Sequence, residues 1–180
     1  MSEVYAKDFS EIESTLKSNY VLKNLVLNLA QSEPIIGKVV EDREEKSRQI
    51  LLDYFKGNIT YSEAVTQTEK GLPRGESKYS QENHAFASGW AERHVKTQIS
   101  RFYNHAVLKK IISSGSNDCY IHHSQSEDQD SKCTRELAGK THSAAEVLKN
   151  IKAAYSEGNY SETLKVPYHP HCSHTVYPVV

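Results

Sequence analysis

Near the end of the chain, His169, Cys172 and His174 fall within six residues, inside the run Val166-Pro167-Tyr168-His169-Pro170-His171-Cys172-Ser173-His174-Thr175-Val176-Tyr177-Pro178. Thiolate sulfur and imidazole nitrogen are the donors that zinc takes in a tetrahedral shell. Such ligands often come in pairs two to five residues apart, because one turn can point both side chains inward. Asp130-x-x-Cys133 supplies the other half, with a carboxylate oxygen where a second sulfur would stand. The expected metal ligands are therefore Cys133, His169, Cys172 and His174, with Asp130 as the alternate. His122, His123, His142 and His171 are spare imidazoles that could substitute or stand in the outer shell. Four protein ligands would close the site and make the metal structural, whereas catalysis needs a position left open for water.

Two other chemistries can be drawn from the same residues. His169, His171 and His174, beside Tyr168 and Lys165, could act as general acid and base in a metal-independent nuclease or toxin-like domain, since histidine titrates near neutrality. No paired carboxylate and histidine spacing fixes a substrate for it. Further upstream, Arg93, Lys96, Arg101, Lys109 and Lys110 outnumber Glu92. They could contact nucleic-acid phosphates while Trp90 or Tyr103 stacks on bases, with salt-dependent affinity. The competing reading is a solvated helix face with Trp90 and Tyr103 in the core.

Composition limits the frame for this chemistry. A chain of 180 residues holds one full core or a compact domain with a helical extension. At 37% hydrophobic and 25% charged residues the apolar core should be modest. A net charge of −1 gives no global attraction to nucleic acid or acidic lipid. Cys119, Cys133 and Cys172 are too few and odd in number for a disulfide framework. Met1 to Asp8 has neither a basic start nor an apolar run, and no later stretch is long enough to span a bilayer. The expectation is a cytosolic protein with no membrane partner.

Apolar residues recur at three and four positions from Asp8 to Gln31, predicting one broken helix or two short ones. Pro34 restarts the chain, and a second helical stretch should end at Gly57. Thr60 and Glu63 have the capping-box spacing, opening a short helix that ends near Gly71. The polar run Leu72 to Ser80 reads as a linker. The longest helix is predicted from about Asn83 to Ser113. Cys119 to His123 could be a strand, and Ser143 with Glu146 opens a last helix through Tyr155.

In order along the chain, these pieces resemble the phage Mu F-type minor head protein family, also called the head morphogenesis domain. The resemblance lies in Lys96 to Ala106, Gly115, Cys119 to His123, Cys133-Thr134-Arg135-Glu136-Leu137-Ala138-Gly139-Lys140 and the terminal Pro167 to Val179. It covers approximately residues 83 to 180. The family's Cys-x-x-Cys stands here as Asp130-x-x-Cys133, its final Cys-x-Cys as Cys172-x-His174, and Gly139 lies one residue further from Cys133 than the family pattern has it. The second exchange keeps a good zinc ligand; the first puts a harder oxygen in place of sulfur.

The resemblance implies a minor protein of a phage or prophage head, associated with the portal and needed for head assembly or DNA delivery. Its expected partners are portal or other capsid proteins and packaged DNA, and its expected location is host cytoplasm during assembly, then the virion head. The expected architecture is α+β and mainly helical. Residues 1–75 form a helical arm that docks on portal or capsid; residues 83–180 form a long helix and a small α+β module stapled by structural zinc. On this reading the chain is not an enzyme.

Overall fold

The computed structural model describes residues 3–161 and 163–179. The first periodic stretch divides at Asn19. A 3₁₀ turn, Phe9–Glu11, leads into α1 (Ile12–Ser18), and α2 (Tyr20–Ser32) follows. Asn19 leaves the helical region (φ −111°, ψ 87°), and its side chain accepts the Leu22 N–H, capping α2. Helix α3 (Glu44–Lys56) stops at Gly57, whose left-handed backbone (φ 85°) suits a residue without Cβ. It begins well after Pro34, and the residues between are turns, in which Asp42 takes a positive φ of 67°. Helix α4 (Tyr61–Gly71) opens with the full reciprocal capping box of Thr60 and Glu63.

The expected linker contains a 3₁₀ turn, Arg74–Glu76, and is tied down by side chains. Arg43 donates to the Pro73 carbonyl at 2.7 Å, and Arg74 donates to the carbonyl of Ser80 and to Asn83. The long helix α5 (Trp90–Ser113) starts at Gly89 rather than near Asn83.

Beyond it, β1 (Asp118–Ile121) is the middle strand of a three-stranded antiparallel sheet, between β2 (Lys140–Ser143) and β3 (Val176–Pro178). Cys119 pairs with His142 on one side, and Tyr120 with Tyr177 on the other. The short α6 (Lys132–Leu137) precedes β2, and α7 (Ala144–Tyr155) follows it, capped by the Ser143 hydroxyl, which accepts the Glu146 N–H. The fold is thus mainly helical with one small sheet, as the sequence predicts.

Helix α5 is the axis on which the molecule is built. Helices α2, α4 and α7 and strand β3 all pack on it, and every residue from Gln98 to Leu108 is buried. A helix covered on all sides must place its polar side chains among partners. Asn104 donates to Ser100, and Arg101 donates to Gln98, Ser156 and the Pro34 carbonyl. The side chains of residues 6–72 join those of the C-terminal stretch in one core, in which Phe55 meets Phe102 edge-on. Arg101 corrects the sequence reading: it is fully buried, its guanidinium 3.8 Å from the Phe102 ring centre, and cannot reach a phosphate.

Candidate metal centre

Three segments bring the soft ligands together. Cys133 sits in the first turn of α6, Cys172 and His174 stand on the segment entering β3, and Glu127 comes from the acidic loop before α6. The Cys133 Sγ is 3.4 Å from His174 Nδ1, and the Cys172 Sγ is 3.6 Å from the same nitrogen. With a Glu127 carboxylate oxygen, all four ligand atoms lie within 4.8 Å of one another. Both sulfurs and the imidazole are buried, and the carboxylate closes the cluster from a half-buried position. Such a donor set could hold a metal ion.

The terminal segment is held in place by hydrogen bonds rather than by regular structure. A tight turn joins the Cys172 N–H to the His169 carbonyl at 3.0 Å, and the Ser173 N–H donates to Glu127 Oε1 at 2.6 Å. From α5, Lys96 donates to Ser173 Oγ (2.8 Å) and the His171 carbonyl, and Asn104 Oδ1 accepts the Val176 N–H (2.9 Å). The chain's opening residues complete the cradle. Phe9 N–H donates to the Ser173 carbonyl, the Thr175 hydroxyl donates to the Ala6 carbonyl, and Tyr103 accepts the Ala6 N–H.

The two sulfurs share protons unequally. Hydrogen bonding from Cys172, then from His169 and His174, draws the Cys133 thiol far below its ordinary range. Burial pushes the Cys172 thiol up, and the neighbouring Cys133 adds to that. The hydrogen bond to Cys133 raises His169. Because His169 Nδ1 accepts the His171 N–H at 3.1 Å, Nε2–H is the nitrogen left to donate to Cys133. His169 therefore supports a sulfur from outside, and Glu127 takes the fourth place. His174 Nε2 is buried without a hydrogen-bond partner among the described residues.

Asp130, the alternate expected ligand, is exposed and stands outside the cluster. Of the spare histidines, His122 packs edge-on against Tyr120 and Tyr177, His142 bonds the Leu137 carbonyl, His123 lies against Gly139 and His171 is exposed. Glu127 was the ligand the spacing did not single out. Only its place in the acidic loop hinted at it. Cys119 is a packed thiol of β1, pushed up to about 12 by burial.

The cations of α5 do not form an open stripe. Arg93 donates to the Ala87 and Ser88 carbonyls, Lys96 holds the terminal segment, and Lys110 pairs with Glu3; Lys109 is exposed. Tyr103 is in the core as expected, and Trp90 is half-buried against Phe86.

A cavity of about 580 Å³ abuts the cluster, with Cys133 and His169 in its wall. Trp90, Arg93 and Gln98 line it from α5, Tyr155 from α7, and Tyr160 and Tyr168 from the segment that follows. Among the described residues no helix is long and apolar enough to cross a membrane. Comparison with protein-family models, curated proteins and solved structures gives no significant match to this chain.

Proposed function

We propose that this chain is a minor head protein of a phage or prophage, acting in head morphogenesis by contact with the portal or capsid, and that a structural zinc ion staples its C-terminal module. The virion role, and with it a location in the assembling and finished head, is supported by the resemblance in residues 83 to 180. The staple is supported by geometry. With Zn–S near 2.3 Å and Zn–N near 2.0–2.1 Å, sulfur and nitrogen ligands of a tetrahedral ion stand about 3.6 Å apart. The separations of 3.4 and 3.6 Å from His174 Nδ1 to the two sulfurs match that edge, and this is the observation that carries the proposal.

Cys133, Cys172, His174 and Glu127 would hold the ion, with His169 donating to Cys133 from the outer shell. The ion would supply a cross-link and a counter-charge for two thiolates, joining the α6 loop to the terminal segment. Two thiolates and an imidazole are the donors zinc favours, and the carboxylate is an accepted fourth. The buried His174 Nε2 weakens the site by about 1–3 kcal/mol, the cost of an unsatisfied polar atom.

Elemental analysis of the purified protein tests the staple: about one equivalent of zinc, and a lower melting temperature after chelation, are expected because a structural metal contributes to folding. Less than about a tenth of an equivalent, with melting unchanged by chelator, overturns it. Retention of the cognate portal protein by the full chain tests the adaptor role. Tyr20 and Val21, 70% and 56% exposed at the start of α2, are the side chains to change to Ser. No retention of portal by the unmodified chain refutes the role.

A further inference from the structure

We propose that Cys133 and Cys172 form an oxidation site for hydroperoxides, in which Cys133 takes up the oxygen and Cys172 converts the product to a disulfide. The loss of metal that follows rests on the staple proposed above; the thiol chemistry does not.

Access differs between the two residues. Cys133 stands in the wall of the cavity of about 580 Å³, with Ser131 and His169, and the rim of that cavity carries the exposed residues Tyr160, Ser161 and Pro170. A peroxide therefore has a path from solvent to Cys133. Cys172 is fully buried and is not among the cavity's described lining residues. Thiol oxidation follows exposure to the oxidant, so Cys133 is the sulfur that attacks.

Proximity supplies the second step. The two Sγ atoms lie within 4.8 Å of each other and flank His174 Nδ1 at 3.4 and 3.6 Å. A disulfide needs them at about 2.05 Å, a closure of less than about 3 Å shared between two side chains. Cys172 belongs to a stretch without helix or strand, between the turn at His169 and β3, so no regular ladder resists the shift. Cys119, packed in β1 and outside the cluster, is an internal control.

The Cys133 sulfur gives an electron pair to the nearer peroxide oxygen. The O–O bond breaks, the farther oxygen leaves with a proton as water or an alcohol, and Cys133 becomes a sulfenic acid. The Cys172 sulfur then attacks Cys133 Sγ; the S–O bond breaks, and the hydroxide leaves as water with the Cys172 proton. Two electrons pass from the two sulfurs to one hydroperoxide. The disulfide leaves His174 and Glu127 alone of the four ligands, too few to retain zinc, yet it keeps α6 joined to the terminal segment.

Treatment of the full chain with millimolar hydrogen peroxide, then alkylation and peptide mass spectrometry without reductant, tests this. Of the three cysteines, Cys133 and Cys172 should appear as one cross-linked peptide while Cys119 is alkylated, and dithiothreitol should restore all three. Zinc, read with a chromogenic indicator, should be released in proportion to the disulfide. Cys172→Ser should stop the reaction at a Cys133 sulfenic acid, trapped by dimedone. Cys133→Ser should slow oxidation of Cys172 about tenfold or more.

Three alkylated thiols after peroxide overturn the proposal, and so does oxidation of Cys119 as fast as Cys133. Undiminished oxidation of Cys172 in the Cys133→Ser chain overturns the assignment of the attacking sulfur. Because both variants remove a metal ligand, the unmodified chain decides: Cys133 ending as sulfinic or sulfonic acid with no disulfide refutes the site however the variants fold. Zinc content before treatment separates this inference from the staple. Bound zinc without a disulfide refutes the oxidation site alone, and a disulfide in a zinc-free chain refutes the staple alone.

Discussion

Glu127 and Asp130 occupy one acidic loop, yet only Glu127 reaches the sulfurs, because the Ser173 N–H holds its carboxylate at 2.6 Å. Glu127→Gln keeps an acceptor for that N–H and removes the anionic donor. Zinc affinity should fall about tenfold or more, read by competition with a chromogenic chelator, while Asp130→Asn changes nothing. The reverse order would restore the ligand set expected from spacing. The two sulfurs and His174 were legible because two of them sit in a local Cys-x-His and their chemistry is unambiguous. The choice of carboxylate was not, since a hydrogen bond from a distant segment makes it. Nor was the role of His169, which the N–H two residues on decides.

A second prediction belongs to His94, which burial, with Arg101 adding, depresses to about 4. In the unfolded chain it titrates at its ordinary value near 6.5. The unfolded state thus binds a proton that the folded state refuses, so stability is full above pH 6.5 and falls as pH drops toward 4. Between pH 7 and 5 the loss from this residue is about 2 kcal/mol. Denaturant titrations at the two pH values should show it, and His94→Gln, with an amide able to meet Ser47, should flatten the slope.

At the level of elements, what could be read depended on length and on caps. Helices α2 to α5 and α7 carry periodic apolar residues over at least eleven positions and have recognisable ends. Helix α6 and strands β2 and β3, of three to six residues, are too short for a period to register. The face of α5 misled in another way. Arg101 read as part of a solvated or phosphate-contacting face, but α2, α4, α7 and β3 enclose the helix, so Arg101 and Asn104 serve as joints between elements. Asn104 is such a joint: it bonds Ser100 in its own helix and the Val176 N–H of β3. Asn104→Ala leaves that buried N–H unmet and should cost about 1–3 kcal/mol in chemical denaturation. By contrast, Thr60→Ala at the exposed cap of α4 should cost about 1 kcal/mol with zinc content unchanged. If Asn104→Ala is no worse than the cap variant, β3 is held by other contacts.

For the molecule as a whole, the turns between Leu72 and Gly89 divide two stretches of sequence whose side chains share one core around α5. Removing residues 1 to 75 would therefore strip α2, α3 and α4 from a helix buried on every side, and loss of portal binding by that fragment would report unfolding rather than docking. A smaller cut is more informative. Beginning the chain at Phe9 removes Ala6, whose backbone bonds both Tyr103 and Thr175, and Asp8, which bonds Ser124 beside the acidic loop, but spares every helix. The terminal segment would then keep its anchors on α5 and on the Phe9 backbone nitrogen and lose its anchor on the Ala6 carbonyl. Helical circular dichroism should be preserved, while transfer of zinc to an excess of chelator should speed up by about tenfold, since local opening of the ligand-bearing segment becomes easier by about 1.4 kcal/mol. An unchanged transfer rate at preserved helicity would mean that α5 and Phe9 hold the ligands in place, and that the residues before Phe9 contribute to the core without stabilising the metal centre.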